Sequence, residues 1–152
     1  MTPFEPRDPE YEIKVRRSFA KQGAMETIGA KIARIKPGEI VLEMPFSQAV
    51  TQQHGFVHAG IITSLLDSAS GYAAYSLMVP DAEVLTIEFK TNLMAPAKGE
   101  RFRAIGKVVK PGRTIMFCES EVFAISSDGE ETHIATMSAT MMVVTGRSDV
   151  KN

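Results

Sequence analysis

The chain has 152 residues, 44% hydrophobic and 23% charged, with 17 Lys and Arg against 18 Asp and Glu for a formal net charge of −1. Such a chain suits a single globular domain over residues 1–152, and its near-neutral charge gives no electrostatic footing for nucleic acid or an anionic membrane surface. The one cysteine, Cys118, excludes an intrachain disulfide, and Met1–Glu5 has neither the basic nor the apolar segment of a signal peptide, so the expected compartment is the cytoplasm.

Asp8–Gln22 mixes charges with Tyr11, Ile13, Val15 and Phe19 ahead of Gly23, which predicts a short amphipathic helix. Thr27–Ile35 and Glu39–Phe46 read as strands around the turn Lys36-Pro37-Gly38. Ser47–Gly60 breaks regularity and holds His54 and His58. A long helix over Ala59–Met78 follows, stopped by Pro80. The run Ala59–Val79 has the length of a membrane span. It carries Asp67, four serines and Thr63 without basic flanks, so it reads as the buried helix of a soluble protein. Beyond it Val84–Met94 alternates, with Leu85, Ile87, Phe89 and Leu93 on one face and Thr86, Glu88, Lys90 and Asn92 on the other. Arg101–Lys110 and Arg113–Ser126 are strands joined by the two-residue turn Pro111-Gly112. Thr132–Thr145 is a strand with Ala135, Met137, Ala139, Met141 and Val143 on one face. Cys118, inside a strand, reads as a buried inert thiol. Gly146–Asn152 is a polar tail expected to be disordered. Two strands, one helix and four further strands predict an α+β fold in which a curved antiparallel sheet wraps one long central helix.

At 3.6 residues per turn, Gly60, Thr63, Ser64, Asp67, Ser70, Gly71 and Ala74 share a stripe of that helix. Asp67 is the sole formal charge between His58 and Pro80. A solvated face normally carries several charges; one carboxylate among small residues leaves room for a substrate beside it. Burial there would raise its pKa, which suits acid/base chemistry. At the helix start, the unpartnered N–H groups of Ala59 and Gly60 lie at the positive end of the dipole and can polarise a carbonyl. Phosphate-loop, nicotinamide and zinc-ligand patterns are absent from the sequence, so no metal or cofactor is expected.

The pattern Gln52-x-x-Gly55-x-x-His58-Ala59-Gly60, with Asp67 following, resembles the Asn-x-x-Gly-x-x-His-Gly-Gly…Asp signature of PaaI-like hotdog-fold acyl-CoA thioesterases. The likeness continues through Thr86-Ile87-Glu88-Phe89 and Asn92-Leu93-Met94-Ala95-Pro96-Ala97 and covers about Thr27 to Val144. It implies an acyl-CoA substrate hydrolysed to a carboxylate and free CoA. Asp67 takes the place of the nucleophile or general base, and the Ala59 N–H that of the donor to the thioester oxygen. Gln52 matches an Asn that positions water or the thioester, and Thr86 a hydroxyl residue that places the carboxylate. His58 and Gly60 complete the signature. Ala59 departs from the usual Gly but keeps its amide; Gln52 departs from Asn, its extra methylene moving the amide by about 1.5 Å. The resemblance also puts the turn bearing Lys107, Lys110, Gly112 and Arg113 near the CoA phosphates. It implies a homodimer, or a dimer of dimers, whose sites are shared between subunits. Two other readings stay open: a non-catalytic acyl-CoA-binding protein, and a hotdog dehydratase or hydratase using His54 or His58 with Asp67. Met94, Met116, Met137, Met141 and Met142 are candidates to line an acyl tunnel.

Overall fold

In a computed structural model, residues 3–151 are described; Met1, Thr2 and the tail's last residue Asn152 lie outside them. The N-terminal helix is α1 (Tyr11–Ala20), followed by a short α2 (Gly23–Thr27). The first strand is therefore β1 (Lys31–Lys36) rather than Thr27–Ile35, because Gly29 turns the chain with a φ of 73° before extension begins. Then come β2 (Glu39–Pro45), α3 (Ala59–Tyr75), β3 (Glu83–Leu93), β4 (Arg101–Lys110), β5 (Ile115–Ile125) and β6 (Glu131–Val144). They form one six-stranded antiparallel sheet in the order β1-β2-β4-β5-β6-β3.

Strand alternation supplies an apolar face against α3. Leu42, Phe102, Met116, Val122 and Met141 are fully buried on the sheet, and Leu65, Leu66, Ala69 and Ala73 on the helix. Helix and sheet meet closely at Gly106, where a Cβ would lie 2.2 Å from the Ala69 carbonyl oxygen. The helix ends at Ser76, whose hydroxyl donates to the Ala73 carbonyl at 2.7 Å and accepts from the Gly38 N–H at 2.8 Å. Ser70, expected on the Asp67 stripe, is instead fully buried and donates to Ser120 at 2.9 Å. It lies at the stripe's margin, and a hydroxyl satisfied by the sheet can point into the core.

On β3 the expected alternation fails. Its ladder with β6 is irregular between Thr86 and Glu88, so Ile87 is an extra residue. A bulge of this kind reverses which face the following residues occupy. Thr86 thereby joins Phe89 on the helix side instead of Glu88, Lys90 and Asn92. The β4–β5 connection is also longer than the two residues expected, running over 111–114. Gly112 is required there, because a Cβ would sit 2.0 Å from the Ile115 carbonyl oxygen.

α1 docks on the C-terminal half of α3. The Lys14 ammonium donates to the Met78 and Val79 carbonyls at 3.0 and 3.1 Å and pairs with the buried Asp8 at 3.3 Å. The tail over 146–151, expected to be disordered, makes a turn closed by an Arg147–Asp149 ion pair at 2.5 Å. Among the described residues no helix is long and apolar enough to cross a membrane.

Candidate active site

Asp67 is half-buried two turns into α3, and Thr86 donates to its Oδ1 at 2.8 Å. Burial raises the carboxyl pKa above its ordinary value, and the Thr86 hydrogen bond partly opposes that rise. The bond is possible because Thr86 pairs with Met141, which is buried on the helix-facing side of the sheet. Asp67 and Thr86 line a cavity of about 310 Å³ with Ser18, Gln22, Ser68 and Tyr72. Tail residues Asp149–Lys151 complete its rim.

At the other end of α3, His58 is the N-cap. It has extended backbone (φ −59°, ψ 137°), and its Nδ1 accepts the Gly60 N–H at 2.8 Å. Nδ1 thus serves as the acceptor that caps the helix. This corrects the reading of Gly60 as a second donor to substrate: its N–H is already engaged. The Ala59 N–H, in contrast, has no partner among the described residues. Gln52 shares a second cavity with Ala59, about 430 Å³ and walled by Phe56, Ile62, Leu93, Met94 and Pro96. The Gln52 Oε1 accepts the His54 N–H and braces the turn through Gly55.

The expected residues therefore fall into three groups. Gln52, His58, Ala59 and Gly60 cluster at the start of α3, while Asp67 and Thr86 sit together farther along. Eight helical steps separate Ala59 from Asp67, about 12 Å along the axis, so within one chain they cannot flank one carbonyl. Lys110 and Arg113 are exposed on the β4–β5 turn with Gly112, outside both cavities. Of the methionines, Met116, Met137 and Met141 are core residues, and only Met94 lines the Ala59 cavity. Cys118 is fully buried, and burial pushes its thiol up to about 12, which makes it inert as expected. Sequence reasoning missed Ser18, Gln22 and Tyr72. Tyr72 is spaced five residues from Asp67, but nothing local indicates where α1 docks. Among the described residues no group of acidic, His and Cys side chains could hold a metal ion.

A long helix cradled by a six-stranded antiparallel sheet, with a carboxylate in its middle and a free amide at its start, is a hotdog arrangement. The chain belongs to the thioesterase superfamily, whose family model matches residues 54–130. As a member it is a thioester hydrolase. It is similar to the crystal structure of a thioesterase family protein from Silicibacter pomeroyi, with 54% identity, a TM-score of 0.88 and coverage of 90% of this chain and 99% of that one. Human acyl-coenzyme A thioesterase 13 is 28% identical over 109 residues, 68% of this chain and 76% of that protein. The Escherichia coli PaaI protein shares the fold, at a TM-score of 0.79 and 16% identity over 90% of this chain and 95% of that one. The resemblance to PaaI-like hotdog thioesterases stands.

Proposed function

We propose that the protein hydrolyses acyl-CoA thioesters, in the cytoplasm, as a homodimer whose two sites each combine Asp67 of one subunit with Ala59 of the other. One observation carries this reading. The carboxylate with its hydroxyl partner and the free amide occupy separate cavities at opposite ends of the edge strand β3. In the protomer β3 pairs on one side only, and Ile87, Phe89 and Leu93 are 51%, 45% and 56% exposed. Unpaired edges and apolar surface of this kind call for a partner. Antiparallel pairing of two β3 strands about their middle sets the Thr86 end of one beside the Leu93 end of the other. The Asp67 cavity of each subunit then meets its partner's Ala59 cavity.

In such a site the Ala59 N–H donates to the thioester oxygen and holds the negative charge that develops on it. Ionised Asp67 either takes a proton from the attacking water or attacks the carbonyl carbon itself, forming an anhydride that water then opens. In both routes the C–S bond breaks, the CoA thiolate takes up a proton, and the acyl group leaves as a carboxylate. Lys110, Gly112 and Arg113 serve the CoA phosphates. The name of the human relative supports an acyl-CoA substrate.

The test is release of free CoA thiol from aryl-, short-, medium- and long-chain acyl-CoAs. Asp67→Asn, nearly isosteric, is expected to lose roughly 10²–10⁴-fold in kcat while remaining folded. Tight acyl-CoA binding without thiol release by the wild type would instead identify a binding protein. Label found in Asp67 after single turnover in ¹⁸O water would identify the anhydride route, opened by water at the Asp67 carbonyl.

A further inference from the structure

We infer that Lys14, Ser18 and Gln22 are the rungs of a polar seam that fixes the register of α1 on α3, and that Lys14 and Gln22 are thereby positioning residues for Asp67. The inference rests on the reading of Asp67 as the catalytic carboxylate.

The three residues recur at every fourth position, so they share one stripe of α1 and its C-terminal continuation. Each meets α3 in turn. The Lys14 Nζ donates to the Met78 and Val79 carbonyls at 3.0 and 3.1 Å, in the turn that follows α3, and lies 4.7 Å from the centre of the Tyr75 ring. The Ser18 and Tyr72 hydroxyls are bonded at 3.2 Å. Ser68 donates to the Gln22 Oε1 at 3.1 Å. As the residue number rises along α1 it falls along α3, so the two helices run antiparallel and the last rung reaches the residue next to Asp67. Val15, fully buried, and Phe19, edge-on to Tyr72 at 5.5 Å, add the apolar contacts.

Apolar contact alone tolerates a helix that slips by one turn, and this seam does not. Such a slip moves every rung by about 5.4 Å. It would take the Lys14 ammonium away from both carbonyls and from Asp8, which is 5% exposed and pairs with it at 3.3 Å. Asp81 and Glu83 add negative charge around the same ammonium. A buried carboxylate stripped of its cation is strongly destabilising, so the Lys14 latch holds one register. In that register Ser18, Gln22 and Tyr72 wall the cavity that contains Asp67 and Thr86. They keep water from one side of the carboxylate and so contribute to the burial that raises its pKa. All of α1 lies outside the segment 54–130 that the family model matches, so this support reaches the carboxylate from outside that segment.

The test reads kcat and its pH profile for acyl-CoA hydrolysis by full-length variants, with helical circular dichroism as the control for folding. Lys14→Met keeps the length of the side chain and removes its charge. It should lose about tenfold in kcat and move the acid limb to lower pH, because a loosened α1 admits water to Asp67. The sign separates this from a direct effect of charge, since losing a cation that acted on Asp67 through space would move the limb to higher pH. The charged groups on the cavity rim, Lys21, Glu83, Asp149 and Lys151, are untouched. Gln22→Leu cuts the last rung alone, leaves the ion pair in place and should move the limb the same way. Ser68→Ala should match it, and the double variant should move the limb no further than either single one. If Lys14→Met does not fold, this cycle at Gln22 and Ser68 decides by itself. A limb that stays in place or rises in the folded variants would overturn the inference, as would additive shifts in the double variant. Wild-type protein that releases no thiol, or Asp67→Asn with full activity, would instead sink the reading beneath it.

Discussion

At Asp67 two influences oppose each other: burial favours the protonated acid, and the Thr86 hydroxyl favours the anion. Because the proposed chemistry needs the anion, the pH profile of kcat should have an acid limb displaced above the ordinary aspartate range. Thr86→Val removes the opposing hydrogen bond, so that limb should move to higher pH. An unmoved limb would show that the bond does not tune the carboxylate. The same shift has a stability consequence. A carboxyl whose folded pKa is raised stabilises the fold below its unfolded pKa, and that contribution is lost as pH rises through the folded value. Asp67→Asn should therefore melt higher than the wild type at pH 7, with the difference closing below about pH 4. At the other pole, Ala59→Pro deletes the free N–H at a first helical position, where proline is tolerated. His58 already has the extended backbone that a following proline requires. A loss of about 10²–10³-fold in kcat with unchanged helical circular dichroism is expected; full activity would place the donor elsewhere.

The central helix is held at its working distance by what the sheet lacks as much as by what it packs. Gly106 lets α3 approach β4 to within a bond's reach, and a Val there would drive its Cβ into the Ala69 carbonyl. Gly106→Val should cost at least about 3 kcal/mol in denaturant unfolding, since α3 must lift off and expose Leu65, Leu66 and Ala69. Stability equal to the wild type would mean that the sheet can yield at β4. The strands after α3 were legible in extent to within a few residues because β4, β5 and β6 alternate over most of their length. The extent of β3 was legible as well but its faces were not, because a bulge leaves no signature in a stretch where every second residue already looks amphipathic. The stripe on α3 was legible at Thr63, Ser64 and Asp67, which stay partly open, and misleading at Ser70.

For the whole molecule the decisive issue is which residues belong to one site. Asp67→Asn and Ala59→Pro proteins, each inactive, can be mixed in equal amounts after reversible dissociation. In every heterodimer one site inherits both defects and the other neither. If half of the dimers are mixed, about a quarter of wild-type activity should return. Heterodimers confirmed by mass that stay inactive would put both residues of a site on the same chain, and an active monomer would reject the shared site.

The sequence alone determined the class of fold and the extent of the long helix to within one turn. These are encoded locally, in strand alternation and in an apolar helix with one charge, whereas the roles expected of Gln52, Ala59 and Asp67 come from the resemblance. Only the tertiary structure decided that the Gly60 amide is taken by His58, that Thr86 faces Asp67, and that α1 walls the carboxylate's cavity. Each is a contact between segments whose separation along the chain carries no periodic trace, or a choice among partners that three-dimensional packing alone makes. The distance of about 12 Å between Ala59 and Asp67 was implicit in eight helical steps. The shared-site proposal rests on where the fold puts β3, at the edge of the sheet with the two cavities at its opposite ends.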